Sequence, residues 1–217
     1  MERPARLNKN IAIAIIVLFH AVGLFGLMMP AFQSSFLRIV PFHLLLMFVV
    51  ILLSHDSPNA KFISFALIVY LLGFIAEWVG VHKNWIFGNY NYGKTLGVKL
   101  WDIPLTIGLN WFMLVYAAGV TMQYSTLKNK WLRIILGSIL LVLLDFLIEP
   151  VAMRFDYWQW LDNIVPLKNY LGWFAVGALM LFLFEQFKFK KQIWVAPLLL
   201  AVQFLFFLIL ANTDVAM

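Results

Sequence analysis

The chain has 217 residues, of which 64% are hydrophobic and only 12% are charged, and its mean hydropathy is +0.90. A soluble domain averages about 45–50% apolar and about 25% charged residues, so this composition excludes an ordinary soluble protein. The absence of cysteine excludes disulfides, thiol nucleophiles and thiolate metal sites. The net charge of +6 does not indicate nucleic-acid binding, because the basic residues lie in short loops between apolar runs.

Seven apolar runs are long enough to cross a bilayer, since a spanning helix needs about 20 residues. They cover approximately residues 10–29, 37–53, 62–81, 103–123, 131–149, 170–187 and 192–211. The pattern predicts an all-α integral membrane protein, a bundle of about seven transmembrane helices in a single domain, 1–217. Lys and Arg are more frequent on the N-terminal side, so the positive-inside rule predicts a cytoplasmic N-terminus.

Polar residues inside the early spans point to different roles. His20 and His43 have no second histidine three or four residues away, so we interpret them as packing or hydrogen-bonding residues. Asp102 begins the fourth span and is followed by Thr106 and Asn110 at intervals of four residues, which share one helix face. This stripe can be a helix cap with interhelical hydrogen bonds, or it can face a polar site.

The fifth span contains the clearest chemical signal. It ends in Asp145 and Glu149, which are four residues apart and therefore lie on the same helix face. A charged group at the centre of a spanning helix costs roughly 2.5–3.5 kcal/mol on insertion scales, so it is a functional candidate by default. Two carboxyl groups this close resist double ionisation, and one of them tends to keep its proton. A buried acid that holds a proton can protonate an apolar substrate.

Two long loops, 82–102 and 150–169, follow the third and fifth spans, and both are rich in Trp, Tyr, Asn and Gly or Pro. One interpretation is an aromatic belt at the membrane–water interface. Loops of this length in a compact domain are more often lids or binding segments. We therefore expect the two loops to pack on each other and cap one face of the bundle. The cavity beneath them should be lined by Glu77, Asp102, Asp145 and Glu149.

Several short motifs in this region fit together. The first half contains Glu77-x-x-Gly80, Phe87-Gly88-x-Tyr90-x-Tyr92, Pro104 and Trp111. The second half contains Asp145-x-x-x-Glu149-Pro150, Trp158-x-Trp160 and Pro166-x-x-Asn169-Tyr170-x-Gly172-Trp173. Over roughly residues 70–175 this set resembles the carotenoid biosynthesis membrane-protein family, which includes the carotenoid 1,2-hydratases, bisanhydrobacterioruberin hydratase among them. One departure is Glu149-Pro150, where the family pattern has Asp-Pro.

The resemblance implies hydration of the terminal C1=C2 double bond of an acyclic, lycopene- or γ-carotene-like carotenoid. Such an alkene needs a positioned acid to protonate it, and a base and water to complete the addition, but no redox cofactor or metal. We expect Asp145 to be the acid and Glu149 or Glu77 its partner and base, with Asp102 also at the site. The expected substrate-binding residues are Phe87, Tyr90, Tyr92, Asn110, Trp111, Trp158, Trp160, Asn169 and Trp173. Aromatic faces among them can stabilise a cation.

Two other functions fit the same residues. A lycopene cyclase would form the same cation and quench it by ring closure, although the P-x-E-(E/D) motif of the heterodimeric cyclases is absent from this chain. A non-enzymatic membrane carrier would more often show repeated halves or broken helices. The expected partners are a carotenoid and membrane lipid, with no cofactor and no nucleic acid, in the inner membrane of a bacterial or archaeal cell. The sequence does not predict the oligomeric state.

Overall fold

The computed structural model describes residues 7–56, 58–187, 189 and 194–213. Within these ranges the chain forms an all-α bundle of seven helices, with little sheet. They are α1 Lys9–Met28, α2 Pro30–Ser54, α3 Ala60–Lys83, α4 Leu105–Tyr124, α5 Lys130–Arg154, α6 Leu167–Gln186 and α7 Val195–Ala211. The first six are long and apolar enough to cross a membrane, whereas α7 has 17 residues, the lower end of the usual range. The chain is therefore a multi-pass membrane protein, as predicted.

Helix α4 is the centre of the bundle. Of its most hydrophobic segment, 67% of the residues are buried, compared with 17% for α2. It packs against α2, α3, α5, α6 and α7. Helices α1 and α2 contact each other and leave many of their apolar side chains exposed on the outside. In a bilayer such surfaces face lipid, because lipid tails solvate them as well as protein does.

The two long loops pack on each other through a short pair of strands. Strand β1 is Tyr90–Tyr92. The chain then forms a small hairpin from β2, Lys99–Leu100, and β3, Ile103–Pro104. Strand β4, Trp158–Trp160, comes from the second loop and pairs antiparallel with β1. Tyr90 lies opposite Trp160 and Tyr92 opposite Trp158, so the prediction that the loops cap one face is confirmed.

Two predicted helix boundaries are wrong because of proline. Helix α2 begins at Pro30 rather than at residue 37, since proline is well suited to the first turn of a helix. Helix α5 continues through Pro150 to Arg154 instead of ending at residue 149. Proline removes one backbone hydrogen bond, but transmembrane helices tolerate it because the freed groups find other partners. As a result, Glu149 lies inside a helix and the second loop begins only after Arg154.

Of the two roles considered for Asp102, the helix cap is excluded, although the fourth span begins close to the expected residue 103. Helix α4 begins at Leu105 with Pro104 in the N-cap position and no side-chain cap. Asp102 and Trp101 instead form the two-residue turn between β2 and β3, with φ of +64° and +47°. Two left-handed residues are typical of a tight hairpin turn, and Asp tolerates this conformation better than most residues.

Candidate active site

Glu77, near the C-terminal end of α3, is buried and accepts three hydrogen bonds. Oε2 accepts from the hydroxyl groups of Tyr90 at 2.5 Å and Tyr92 at 2.7 Å. Oε1 accepts from Nε1 of Trp111 on α4 at 2.8 Å. Burial, and then the adjacent Glu77 carboxylate, raise the pKa of both phenols well above its usual value. Both tyrosines are therefore neutral O–H donors.

Two glycines on α3 make these contacts possible. A Cβ atom at Gly80 would lie 2.7 Å from the Tyr90 hydroxyl, and one at Gly73 would lie 2.6 Å from Cβ of Trp111. Real Cβ atoms do not approach other atoms so closely without displacing them. The missing side chains thus let Tyr90 and Trp111 come against the helix on either side of Glu77.

Glu149 on α5 accepts a second set of three hydrogen bonds. Its Oε2 accepts from the indole nitrogens of Trp158 at 3.0 Å and Trp160 at 2.7 Å. These two indoles point the same way because alternate residues of a strand lie on one face, and both belong to β4. Oε1 of Glu149 accepts from Nδ2 of Asn169 at 3.0 Å.

Asp145 lies one helical turn before Glu149 on α5 and accepts fewer hydrogen bonds. Its Oδ2 accepts one hydrogen bond, from the same Nδ2 of Asn169, at 2.7 Å. Its Oδ1 is buried and has no hydrogen-bond partner among the described residues. Asn169 thus connects the two acids of α5 through one amide group. We call Glu77, Asp145, Glu149 and Asn169 the carboxyl cluster.

No lysine or arginine in the described part of the chain pairs with an acid of the carboxyl cluster. The bidentate ion pair of Arg133 and Glu185, at 2.7 Å, joins α5 to α6 far along both helices from the cluster. Several buried carboxylates without a countercharge are strongly unfavourable in an apolar interior. Neighbouring carboxyl groups in these surroundings are therefore suited to sharing a proton, which lowers their total negative charge. Within the same residues, no group of three or more acidic or histidine side chains is arranged to hold a metal ion.

Two spaces adjoin at this end of the bundle. A small space of about 20 Å³, which we call the polar cell, lies beside Glu77, Glu149 and Asn169 of the carboxyl cluster. Its walls are Glu77, Phe87, Tyr90, Tyr92, Ile107, Glu149, Trp158, Trp160, Asn169 and Trp173. A larger space of about 450 Å³, the apolar cavity, lies between α1, α2, α4, α5 and α7. Ile107 and Trp158 line both spaces, so the two share a wall.

The polar cell has room for one water molecule. A water needs at least about 10–15 Å³ and two to four polar partners. The cell supplies such partners in Glu77, Glu149, Asn169 and the two tyrosines. The apolar cavity is different, because most of its walls are aliphatic or aromatic. Three residues at it, Phe19, Ile39 and Phe42, are 44%, 49% and 70% exposed on the outside of the bundle.

The structure brings most of the residues singled out in the sequence to one place. These are Glu77, Phe87, Tyr90, Tyr92, Trp111, Asp145, Glu149, Trp158, Trp160, Asn169 and Trp173. Trp111 and Trp173 stack with ring centroids 4.3 Å apart. Asp145 does not line either space and reaches the polar cell only through Asn169.

Asp102 and Asn110 lie elsewhere. The Asp102 side chain is 80% exposed at the β2–β3 turn, 3.6 Å from His82, so the expectation that it lines the shared site is wrong. Asn110 is one and a half turns into α4 and lines the apolar cavity rather than the polar cell. Sequence reasoning missed Gln203 on α7, which also lines that cavity. A polar residue in the middle of an apolar run was the signal that could have found it.

Comparison with known proteins gives the family. The family model described as "Carotenoid biosynthesis protein" matches residues 36–217. A bisanhydrobacterioruberin hydratase of Haloarcula japonica is 28% identical over 127 residues, which are 55% of this chain and 43% of the relative. The chain thus aligns with less than half of that relative's length. No solved structure matches it significantly. Because the family model covers most of the sequence, the chain belongs to the carotenoid biosynthesis protein family.

Proposed function

We propose that this membrane protein is a carotenoid hydratase, which adds water to the terminal C1=C2 double bond of an acyclic, lycopene- or γ-carotene-like end group. One observation carries the proposal. A polar cell the size of one water molecule, walled by two hydrogen-bonded carboxyl groups, shares Ile107 and Trp158 with a large apolar cavity. Hydration of an alkene needs these two environments side by side. Family membership and the hydratase relative support the same chemistry.

The apolar cavity is suited to the hydrocarbon end of the substrate. Its walls are apolar apart from a few side chains, and it lies among helices whose outer surfaces face lipid. A carotenoid dissolved in the bilayer can enter it sideways without crossing water. The end of the polyene then reaches Trp158, with the polar cell on the other side of that wall.

The pair formed by Asp145 and Glu149 supplies the proton. Glu149 has three donors, which favour the carboxylate form, whereas Asp145 has one donor and an oxygen without a partner in the described residues. Asp145 is therefore the better place for the shared proton, and the pair behaves as one acid. Glu149 lines the polar cell, so the proton shared with Asp145 is delivered to C2 through Glu149. The π electrons form the new C–H bond, and a tertiary cation remains at C1.

Water from the polar cell completes the addition. Its oxygen attacks C1, and a carboxylate of Glu149 or Glu77 takes the surplus proton. That proton returns to the Asp145–Glu149 pair, so the enzyme is unchanged and the substrate has gained one H and one OH. Neutral Tyr90 and Tyr92 hold Glu77 in place. The faces of Trp158 and Trp173 can stabilise the cation before water arrives.

The orientation in the membrane is part of the proposal. The excess of Lys and Arg on the N-terminal side favours a cytoplasmic N-terminus in the cell membrane of a bacterium or archaeon. The loop-capped face that carries the carboxyl cluster is then external. Reporter fusions at both chain ends test this orientation, and two ends on the same side would contradict it.

The test of the function is expression in a host that makes lycopene, with mass analysis of the extracted pigments. A hydratase converts lycopene into products heavier by one or two molecules of water. A cyclase gives isomers of unchanged mass, and a carrier leaves the pigment unaltered. Either of the last two results would contradict the proposal. The Asp102→Asn variant, which changes an exposed acid outside the cluster, is the expression-matched control.

A further inference from the structure

Ile107 and Trp158 form the wall between the two spaces of the candidate site. Among the described residues, these are the two that line both the polar cell and the apolar cavity. Glu149 lines the polar cell but not the apolar cavity. In the proposed reaction the proton and the water therefore both have to pass this wall before they reach a double bond in the apolar cavity. One of the two wall residues has to move aside.

The two wall residues differ in their freedom to move. Ile107 lies in the first turn of α4, the central helix of the bundle, and is only 4% exposed. Trp158 is the first residue of β4, a strand of three residues whose partner strand also belongs to a loop. Elements held by few hydrogen bonds open more readily than the core of a bundle. Trp158 is therefore the wall residue with the greater freedom to move.

One hydrogen bond holds the Trp158 indole in the closed position. An indole has a single N–H donor, and that of Trp158 donates to Glu149 Oε2 at 3.0 Å. Trp160 donates to the same oxygen at 2.7 Å, and Asn169 donates to Oε1. When the Trp158 indole moves away, Glu149 keeps two of its three donors. The wall can therefore open without releasing the carboxyl group that delivers the proton.

The closed wall encloses a space that suits water alone. The polar cell measures about 20 Å³ and has room for one water molecule. The Tyr92 ring meets the Trp158 ring edge to face, with centroids 6.1 Å apart, and the Tyr92 hydroxyl donates to Glu77. The Trp158 side chain is thus packed between groups bonded to two carboxyl groups, Glu77 and Glu149. A nucleophile with one methyl group more than water does not fit behind it.

We propose that Trp158 is a gate that selects water as the nucleophile of the reaction. While the gate is closed, one water is enclosed beside Glu149. When the indole moves aside, Glu149 and that water meet the end of the carotenoid, and the passage is too narrow for a larger nucleophile. This inference rests on the proposed function, because it takes the polar cell as the source of both the proton and the water.

A gate that does not close would let a larger nucleophile reach the same cation. The oxygen of methanol can form the bond to C1, and the proton of its hydroxyl group then passes to a carboxylate of the carboxyl cluster. The product is a methyl ether, heavier than the substrate by one molecule of methanol. The ratio of methyl ether to alcohol therefore measures how well the gate closes, whatever the rate at which cations form.

The test measures this ratio in membranes incubated with lycopene in water that contains methanol. Wild-type protein should give the alcohol with little ether. Trp158→Phe keeps an aromatic ring but removes the hydrogen bond and part of the wall. The ratio of ether to alcohol should then rise by at least about 10-fold, since a site rejects one extra methyl-sized group by about 10- to 200-fold.

Trp160→Phe is the matched control. It removes the same kind of hydrogen bond from the same oxygen of Glu149, but Trp160 does not line the apolar cavity. It enlarges the polar cell away from the passage, so its ratio should stay far below that of Trp158→Phe. An equal rise in the two variants would overturn the gate, because the volume of the cell would then select the nucleophile. Ether from the wild-type protein in proportion to the methanol present would overturn it as well.

A second variant covers the case in which Trp158→Phe does not accumulate in the membrane. Ile107→Ala opens the same wall from the side of α4 and leaves the bond between Trp158 and Glu149 in place, so it should also raise the ratio. A ratio at the wild-type level in every variant that makes alcohol would overturn the gate and leave the hydratase intact. If the wild-type protein makes neither alcohol nor ether, the proposed function fails, and this inference fails with it.

Discussion

Glu77 and Asp145 are buried acids of the same cluster, but their surroundings are opposite. Glu77 accepts hydrogen bonds from two tyrosines and a tryptophan. Asp145 accepts one bond from a shared amide, and its other oxygen has no partner in the described residues. Three donors favour a carboxylate, and a shortage of donors favours a carboxylic acid. The comparison teaches that one cluster can hold a base and an acid together by distributing donors unequally.

The largest expected effect is that of Asp145→Asn. The amide keeps the size of the side chain but cannot deliver a proton, so hydration should fall by about 10²–10⁴-fold. Pigment binding should remain, because Asp145 lines neither the polar cell nor the apolar cavity. The measurement is the ratio of hydrated to unhydrated pigment at equal protein level in the membrane. Hydration near the wild-type level would contradict the proposal that Asp145 holds the catalytic proton.

Changes at Glu149 test whether the two acids of α5 act as one. Glu149→Gln should lose about 100-fold or more, because it breaks the pair that shares the proton. Glu149→Asp keeps the acid next to Pro150, so we expect it to stay within about 10-fold of wild type. Pigment ratios in the same host measure both. An equal loss in the two variants would mean that the length of the side chain, which lets it accept from Trp158 and Trp160, matters more than its acidity.

Glu77→Gln probes the side of the cluster that is rich in donors. The amide nitrogen replaces one carboxylate oxygen and cannot accept the bonds of that oxygen, which come either from Tyr90 and Tyr92 or from Trp111. Hydration should therefore fall by about 10- to 100-fold, the effect of losing a charge-assisted hydrogen bond. A loss as large as that of Asp145→Asn would contradict the unequal roles. The comparison is made on membranes with matched protein content.

Gly80→Ala should disturb the hydrogen bond between Tyr90 and Glu77 without changing an acidic residue. The added Cβ would lie 2.7 Å from the Tyr90 hydroxyl and push it away from Glu77. We expect a loss of stability of about 1–3 kcal/mol, typical of overpacking, with a few-fold drop in hydration. Thermal unfolding in detergent measures the first effect. Gly23→Ala is the control for stability, because its Cβ would lie at an ordinary 3.8 Å from Phe206.

The smallest effect should come from Asp102→Asn. Asp102 is exposed at a hairpin turn, and substitutions at such positions usually change stability by less than about 0.5 kcal/mol. Hydration should stay within about twofold of wild type. A severe loss of hydration would indicate that Asp102 takes part in the reaction, which would contradict its position in the structure.

The sequence predicts the acids of the site better than their surroundings. Asp145 and Glu149 can be identified because carboxyl groups are rare in apolar helices and their spacing puts them on one face. The pairing of β1 with β4 could not be predicted, because strands of three residues carry no periodic signal and find their partners only in the folded chain. Local rules also failed at Pro150 and Asp102. At Pro150 the bilayer favours continuing the helix, and at Asp102 a hairpin turn keeps the side chain away from the site in which we expected it.

The most direct test of the shared-proton mechanism is isotope labelling of the product. Membranes that contain the wild-type protein are incubated with lycopene in D₂O, and separately in H₂¹⁸O, and the product is analysed by mass. For each hydrated end we predict one non-exchangeable deuterium at C2 and one ¹⁸O in the new hydroxyl group at C1, and neither label with Asp145→Asn. A product that gains deuterium without oxygen would be a cyclised isomer and would contradict the hydratase. Full labelling of both atoms by Asp145→Asn would contradict the role of the Asp145–Glu149 pair.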